Sequence, residues 1–151
     1  MALEYDLHLS TRMTPAQALE KLANQIPGLV WSEDRSFLVD ISAQVSAMKP
    51  LALTQSIIEE SFHFTPTLGV GFRRRFDADW DRLRQLLLDA TLLLLEDEQD
   101  AVLLFNGETI VLQRFEGQLV FNSDYEIGDD DWLKSRLTIP FERRPLPSPL
   151  L

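Results

Sequence analysis

Residues 101–122 read AVLLFNGETIVLQRFEGQLVFN, and this stretch decides the fold. Its first five residues are an unbroken apolar run, the pattern of a strand covered on both faces. Asn106 and Gly107 come next. A type I′ hairpin turn needs positive φ at both central positions, and Asn followed by Gly meets that need at little cost. A second strand runs over 108–114, the chain turns again at Gly117, and a third strand covers 118–122. The segment is a three-stranded antiparallel meander without an obvious reactive group.

The clearest helix lies just before it. Trp80, Leu83, Leu87, Ala90 and Leu94 form its inner stripe at helical spacing. Asp77 is the expected cap, and Asp79 and Asp81 suit the positive end of the helix dipole. Two strands over 57–64 and 68–73 are expected to turn around Thr65 and Pro66. Alternation of Phe37, Val39 and Ile41 predicts a strand over 36–42, with a short strand at 29–31 and a turn at 32–35 between them. Residues 43–55 carry no clear period, and Lys49 and Pro50 break any element there.

At the N-terminus, Leu3, Tyr5, Leu7 and Leu9 alternate with polar residues, a strand with one buried face. Thr14, Pro15 and Gln17 then spell a helix start: cap, first helical position and capping box. Ala18, Leu19, Leu22, Ala23 and Ile26 continue it until Pro27 and Gly28. After the meander come a short helix over 130–136 and a proline-rich arm over 140–151, extended or partly disordered. The order is β-α-β-β-β-β-α-β-β-β with a short C-terminal helix. Hairpins outnumber helical crossovers, so the expected class is α+β: a mainly antiparallel sheet with two principal helices on one face. Residues 1–139 form one domain and 140–151 an arm.

A chain of 151 residues suits one domain and buries about two-thirds of the surface its unfolded form exposes. Hydrophobic residues make up 45% and charged residues 25%, a globular balance. There is no cysteine, which excludes disulfides, thiolate metal sites and cysteine nucleophiles. The first residues place Glu4, Asp6 and His8 between apolar ones, unlike a signal peptide, and no apolar run is long enough to span a bilayer. A cytoplasmic protein is expected. The net charge of −10 repels phosphate backbones and anionic lipids, so neither nucleic acid nor membrane is an expected partner. The same charge attracts basic proteins.

Catalytic motifs are weak. His8 sits near Asp6, and His63 near Glu59 and Ser61, but an ordinary polar sheet face explains both groupings. No nucleophile elbow exists. The carboxylates of Glu59, Glu60, Glu96, Asp97 and Glu98 suit acid–base work only if two of them meet across a cleft. Asp124, Glu126, Asp129, Asp130 and Asp131 offer oxygens to a cation, yet their spacing is not that of an EF-hand loop. A solvated acidic loop that caps the next helix fits better, and no metal or other cofactor is expected. Gly69, Val70 and Gly71 begin like a dinucleotide fingerprint, but Arg74 stands where the third glycine would fall. On one strand face, Gly69 and Gly71 mark a bend or close packing instead. Arg73, Arg74 and Arg75 read as a basic turn. The acids at 96, 97, 98 and 100 follow the negative end of a helix, a local conflict worth about 0.3–1 kcal/mol per charge. Such conflicts gather where function intrudes, unless the loop simply swings into water and the penalty is screened.

Two regions resemble a known family. They are the N-terminal residues 1–7, MALEYDL, and the meander, where Asp100 precedes the apolar strand and Asn106, Gly107, Val111, Leu112, Arg114, Gly117, Leu119 and Asn122 follow. Trp132 fits an aromatic position after a polar loop. These residues are similar to bacterial immunity proteins named for the swarming-inhibition and traitor-type toxin systems of myxobacteria. The resemblance implies a non-catalytic protein that binds and blocks a cognate toxin. A basic nuclease domain is the toxin type that an acidic surface suits. The expected contact residues are Glu96, Asp97, Glu98, Asp124, Glu126, Asp129, Asp130 and Asp131, with Trp132 or Trp31 as an aromatic anchor. Two alternatives stand beside it: a small-ligand-binding domain or enzyme with a pocket lined by His63, Glu59 or the arginines, and an adaptor or secretion chaperone that docks through its arm.

Overall fold

The computed structural model describes residues 3–95 and 100–150. In chain order its elements are β1 (Glu4–Leu9), α1 (Pro15–Gln25), β2 (Val30–Trp31), β3 (Leu38–Val39), β4 (Ala43–Met48), α2 (Ala52–Phe62), β5 (Leu68–Arg74), α3 (Trp80–Leu94), β6 (Ala101–Phe105), β7 (Thr109–Phe115), β8 (Gln118–Asn122), α4 (Asp130–Arg136) and β9 (Phe141–Arg144). The strands form a single nine-stranded sheet in the order β2-β3-β4-β5-β1-β6-β7-β8-β9. Neighbours are antiparallel apart from the parallel pair β8–β9. The class is α+β.

The meander forms as its turn residues dictate. Asn106 and Gly107 have φ of 50° and 73°, and Glu116 and Gly117 repeat the pattern at 53° and 80°. The β6–β7 register shifts between Leu103 and Leu104, which pair with Leu112 and Ile110 and leave Val111 as the extra residue. Val111 and Leu112 then join one core while Ile110 joins the other.

Those two cores lie on opposite faces of the sheet. Tyr5, Leu7 and Leu9 of β1 and Val70 and Phe72 of β5 meet α1 and α3 through Leu19, Leu22, Leu83 and Leu87. The α1 capping box is complete: the Gln17 amide donates to Thr14 Oγ1 at 3.1 Å, and the Thr14 amide to Gln17 Oε1 at 3.0 Å. On the second face Ile58 and Phe62 of α2 pack with Val102, Leu104, Ile110 and Val120.

Helix α2 corrects the expected strand over 57–64. Its aromatic and branched residues favour a strand locally, but Ile58 and Phe62 stand four apart and bury one helical stripe against β6. The two principal helices expected on one face are α1 and α3; α2 is a third, on the other face. Residues 43–55 resolve into β4 and the start of α2, separated at Lys49 and Pro50. The expected strand over 36–42 shrinks to β3. Its remainder is a turn in which the Ser42 amide donates to Asp40 Oδ1 at 2.7 Å. The cap of α3 is Asp79, not Asp77, which sits at φ 64° in the preceding loop.

The proline-rich arm is held to the sheet. Phe141–Arg144 form β9 along β8, and Leu146 is buried. Buried Asn122 clasps it: its amide donates to the carbonyls of Ile110 (2.7 Å) and Leu146 (3.3 Å), and its Oδ1 accepts from the amides of Leu146 (3.0 Å) and Asp124 (2.9 Å). Each of its hydrogen-bonding atoms is thereby used twice, which removes the cost of burying an amide.

Candidate functional site

The acidic segment between β8 and α4 ends in a helix start. Asp129 caps α4, its Oδ1 accepting from the Trp132 amide at 2.8 Å. Asp130 and Asp131 occupy the first turn, where the helix dipole favours anions. Asp130 also pairs with Arg143 of β9 at 2.9 Å. Asp124, Glu126 and Asp131 are exposed, and their carboxylates have no hydrogen bond or ion pair among the described residues. Two of the five acids therefore serve the local structure, and three stand free on the surface.

Trp132 is half-buried against the first core. Its ring lies on Gly128, where a Cβ would come within 2.2 Å of Cε3, so the close approach requires glycine. The guanidinium of Arg84 sits 4.4 Å from the ring centroid and that of Arg136 5.5 Å. Trp31 is likewise half-buried, with Arg35 4.6 Å over its ring. Both tryptophans thus hold their surroundings as well as showing an edge to solvent. Glu96, Asp97 and Glu98 lie outside the described residues.

The other motifs disperse. His63, expected on a strand with Ser61, is the left-handed C-cap of α2 (φ 62°). Both border an open hollow of about 440 Å³ with Asp100 and Glu116, but neither Glu59 nor Arg73, Arg74 or Arg75 lines it. Glu59 instead accepts from Thr65 Oγ1 at 2.9 Å. Arg74 donates to the Ala78 carbonyl and Arg75 to that of Asp40. Among the described residues Asp40 is a buried acid, and it is bonded to both Arg82 and Ser42. Burial opposes its ionisation, but hydrogen bonds from Arg82 (2.5 Å) and Ser42 (2.6 Å) outweigh that and hold its carboxyl below the usual range. No group of three or more His, Asp or Glu side chains among the described residues is placed to hold a metal ion. No described helix is long and apolar enough to cross a membrane.

Sequence reasoning missed one surface feature. Ile41 is 77% exposed and Phe76 94%, on turns that the Arg75 amide ties to the Ser42 carbonyl at 2.9 Å. Phe76 stands between Arg75 and Asp77, in no apolar period, and that isolation was its only signal.

The chain belongs to the SitI3-like family, whose model matches residues 3–132. That span includes β1, the meander and the acidic segment as far as Trp132. No curated protein and no solved structure matches the chain.

Proposed function

We propose that this SitI3-like protein is a cytoplasmic immunity protein that neutralises a cognate bacterial toxin by occupying it, without catalysis. Family membership over residues 3–132 carries this reading. Its contact surface is the acidic segment: Asp124, Glu126, Asp129, Asp130 and Asp131, with the edge of Trp132 as an aromatic contact; Glu96, Asp97 and Glu98 are further proposed contacts. The net charge of −10 and the three unpaired carboxylates favour a basic partner such as a nuclease domain. An acidic face accelerates capture of such a domain and covers the groove that would hold its nucleic acid.

The test is charge reversal away from the structural acids. Asp124→Lys, Glu126→Lys and Asp131→Lys together leave the Asp129 cap and the Asp130–Arg143 pair intact. Binding of the toxin encoded beside this gene should weaken by about tenfold or more, with a flatter dependence on salt. Unchanged affinity and an unchanged salt slope would remove this surface from the interface.

A further inference from the structure

The second face of the sheet is only partly covered. Helix α2 packs over β6 to β8, and the β4–β5–β1 portion beside it is open. There the side chains line up in cross-strand rows: Met48, Gly69 and His8 in one, Ser46, Gly71 and Asp6 in the next. Because β5 contributes glycine to both rows, no side chain of β5 rises between β4 and β1. The result is a trough of about 400 Å³ whose floor is Gly69 and Gly71. Neither glycine has positive φ, so the backbone does not require them. A Cβ at Gly69 would find only the Met48 carbonyl oxygen, at 3.7 Å. A Cβ at Gly71 would meet Asp6 Oδ1 and Ser46 Oγ, each at 3.4 Å, so the open space lies over Gly69 and the Asp6 carboxylate leans over Gly71.

The walls have two characters. Exposed Met48, Leu51 and Ile57 make one side apolar. Asp6 and His8 make the other polar. Asp6 is half-buried, and its carboxylate has no hydrogen bond or ion pair among the described residues. Burial, and then the charge of Glu4, raise its pKa. The guanidinium of Arg73, on the same face, pairs with Glu4 at 3.9 Å. Burial lowers His8 to about 4, so the ring is neutral at pH 7, and its Nδ1 is buried without a partner. A partly dehydrated anion beside a neutral ring and an aliphatic wall is electrostatically incomplete.

We infer that this trough receives an arginine side chain of a partner protein, its guanidinium on Asp6 and its aliphatic stem against Met48, Leu51 and Ile57. Guanidinium suits the site better than ammonium. It is more weakly hydrated, it meets a carboxylate through two parallel N–H donors, and its flat face stacks on an imidazole. That the arginine belongs to a toxin rests on the immunity reading; the preference of the trough for guanidinium does not.

The experiment titrates the full chain with N-acetyl-arginine methylamide at pH 7 and follows backbone amides by NMR. The leucine and lysine analogues serve as controls. Saturable shifts are expected at Asp6, His8, Gly69 and Gly71, with the leucine analogue and the Asp6→Asn variant each weaker by about tenfold. Gly69→Leu should fill the trough and abolish the shifts, while the rest of the spectrum shows an intact sheet. If that variant fails to fold, Asp6→Asn alone decides. Three outcomes would overturn the inference: no saturable shift at these amides, equal binding of the leucine analogue, or shifts confined to residues 124–131. Preferred binding of the lysine analogue would overturn the guanidinium assignment. Arginine binding by a protein that captures no toxin would sink the immunity reading and leave the trough standing. Toxin capture undiminished by Asp6→Asn would remove the toxin as donor.

Discussion

Single residues set the local chemistry of this sheet, and His8 shows how. Its sequence position, two after Asp6, gave a polar strand face, and that is where it lies. The sequence did not show that glycines across the strand would leave it beside a trough, because the neighbours of a strand are chosen by tertiary pairing. Burial depresses the His8 pKa to about 4 from 6.5, so the unfolded chain binds a proton that the folded chain refuses between those values. Stability must then rise with pH across that window and fall as pH drops from 6.5 toward 4, by about 2–3 kcal/mol. Asp6 works in the opposite sense, since its raised pKa favours the fold when protonated and loses that gain as pH rises. Urea unfolding of His8→Gln against the parent isolates the histidine: the variant should lack the loss between pH 6.5 and 4. Parallel pH profiles would show that His8 is not desolvated. Arg114 makes a similar point for the negative end of α3. The sequence showed acids after that helix and no cation in its last turn, but β7 supplies one, because Arg114 donates to the Leu95 carbonyl.

At the scale of elements, legibility followed how local the signal was. The two φ-positive turns of the meander and the Thr14 capping box are decided within four residues, and each was readable; the acidic loop was readable as the cap of α4, with Asp129, Asp130 and Asp131 all eligible. Helix α2 was not. It has no side-chain cap at Leu51, its moment is weak, and its β-branched residues mimic a strand. The sheet face under β6 supplied the missing information by burying Ile58 and Phe62. The helix end provides a discriminating prediction. His63 holds φ 62° at the cap, a conformation that glycine adopts freely. His63→Gly should therefore leave stability unchanged or raise it by up to about 1 kcal/mol in chemical denaturation. A loss of similar size, as expected for glycine within a strand, would contradict the helix. The acidic segment was readable as a capped, solvated loop. Its division into two engaged and three unpaired carboxylates needed Arg143, which lies in β9 beyond any local pattern.

At the scale of the whole molecule, the sheet has two unlike faces. The first face is filled by α1 and α3. The second is partly filled: its open part carries Asp6, and the α4 segment carries Asp124, Glu126 and Asp131. Protection by occupancy demands one immunity protein for each toxin, whereas an enzyme that modified the toxin would act below that ratio. The deciding measurement is therefore the stoichiometry of neutralisation by the full chain against the purified toxin it is proposed to bind. Residual toxin activity should fall linearly to a break at one to one and return when the complex is dissociated by salt. Full inactivation at a small fraction of an equivalent, or lasting inactivation after separation, would contradict the account.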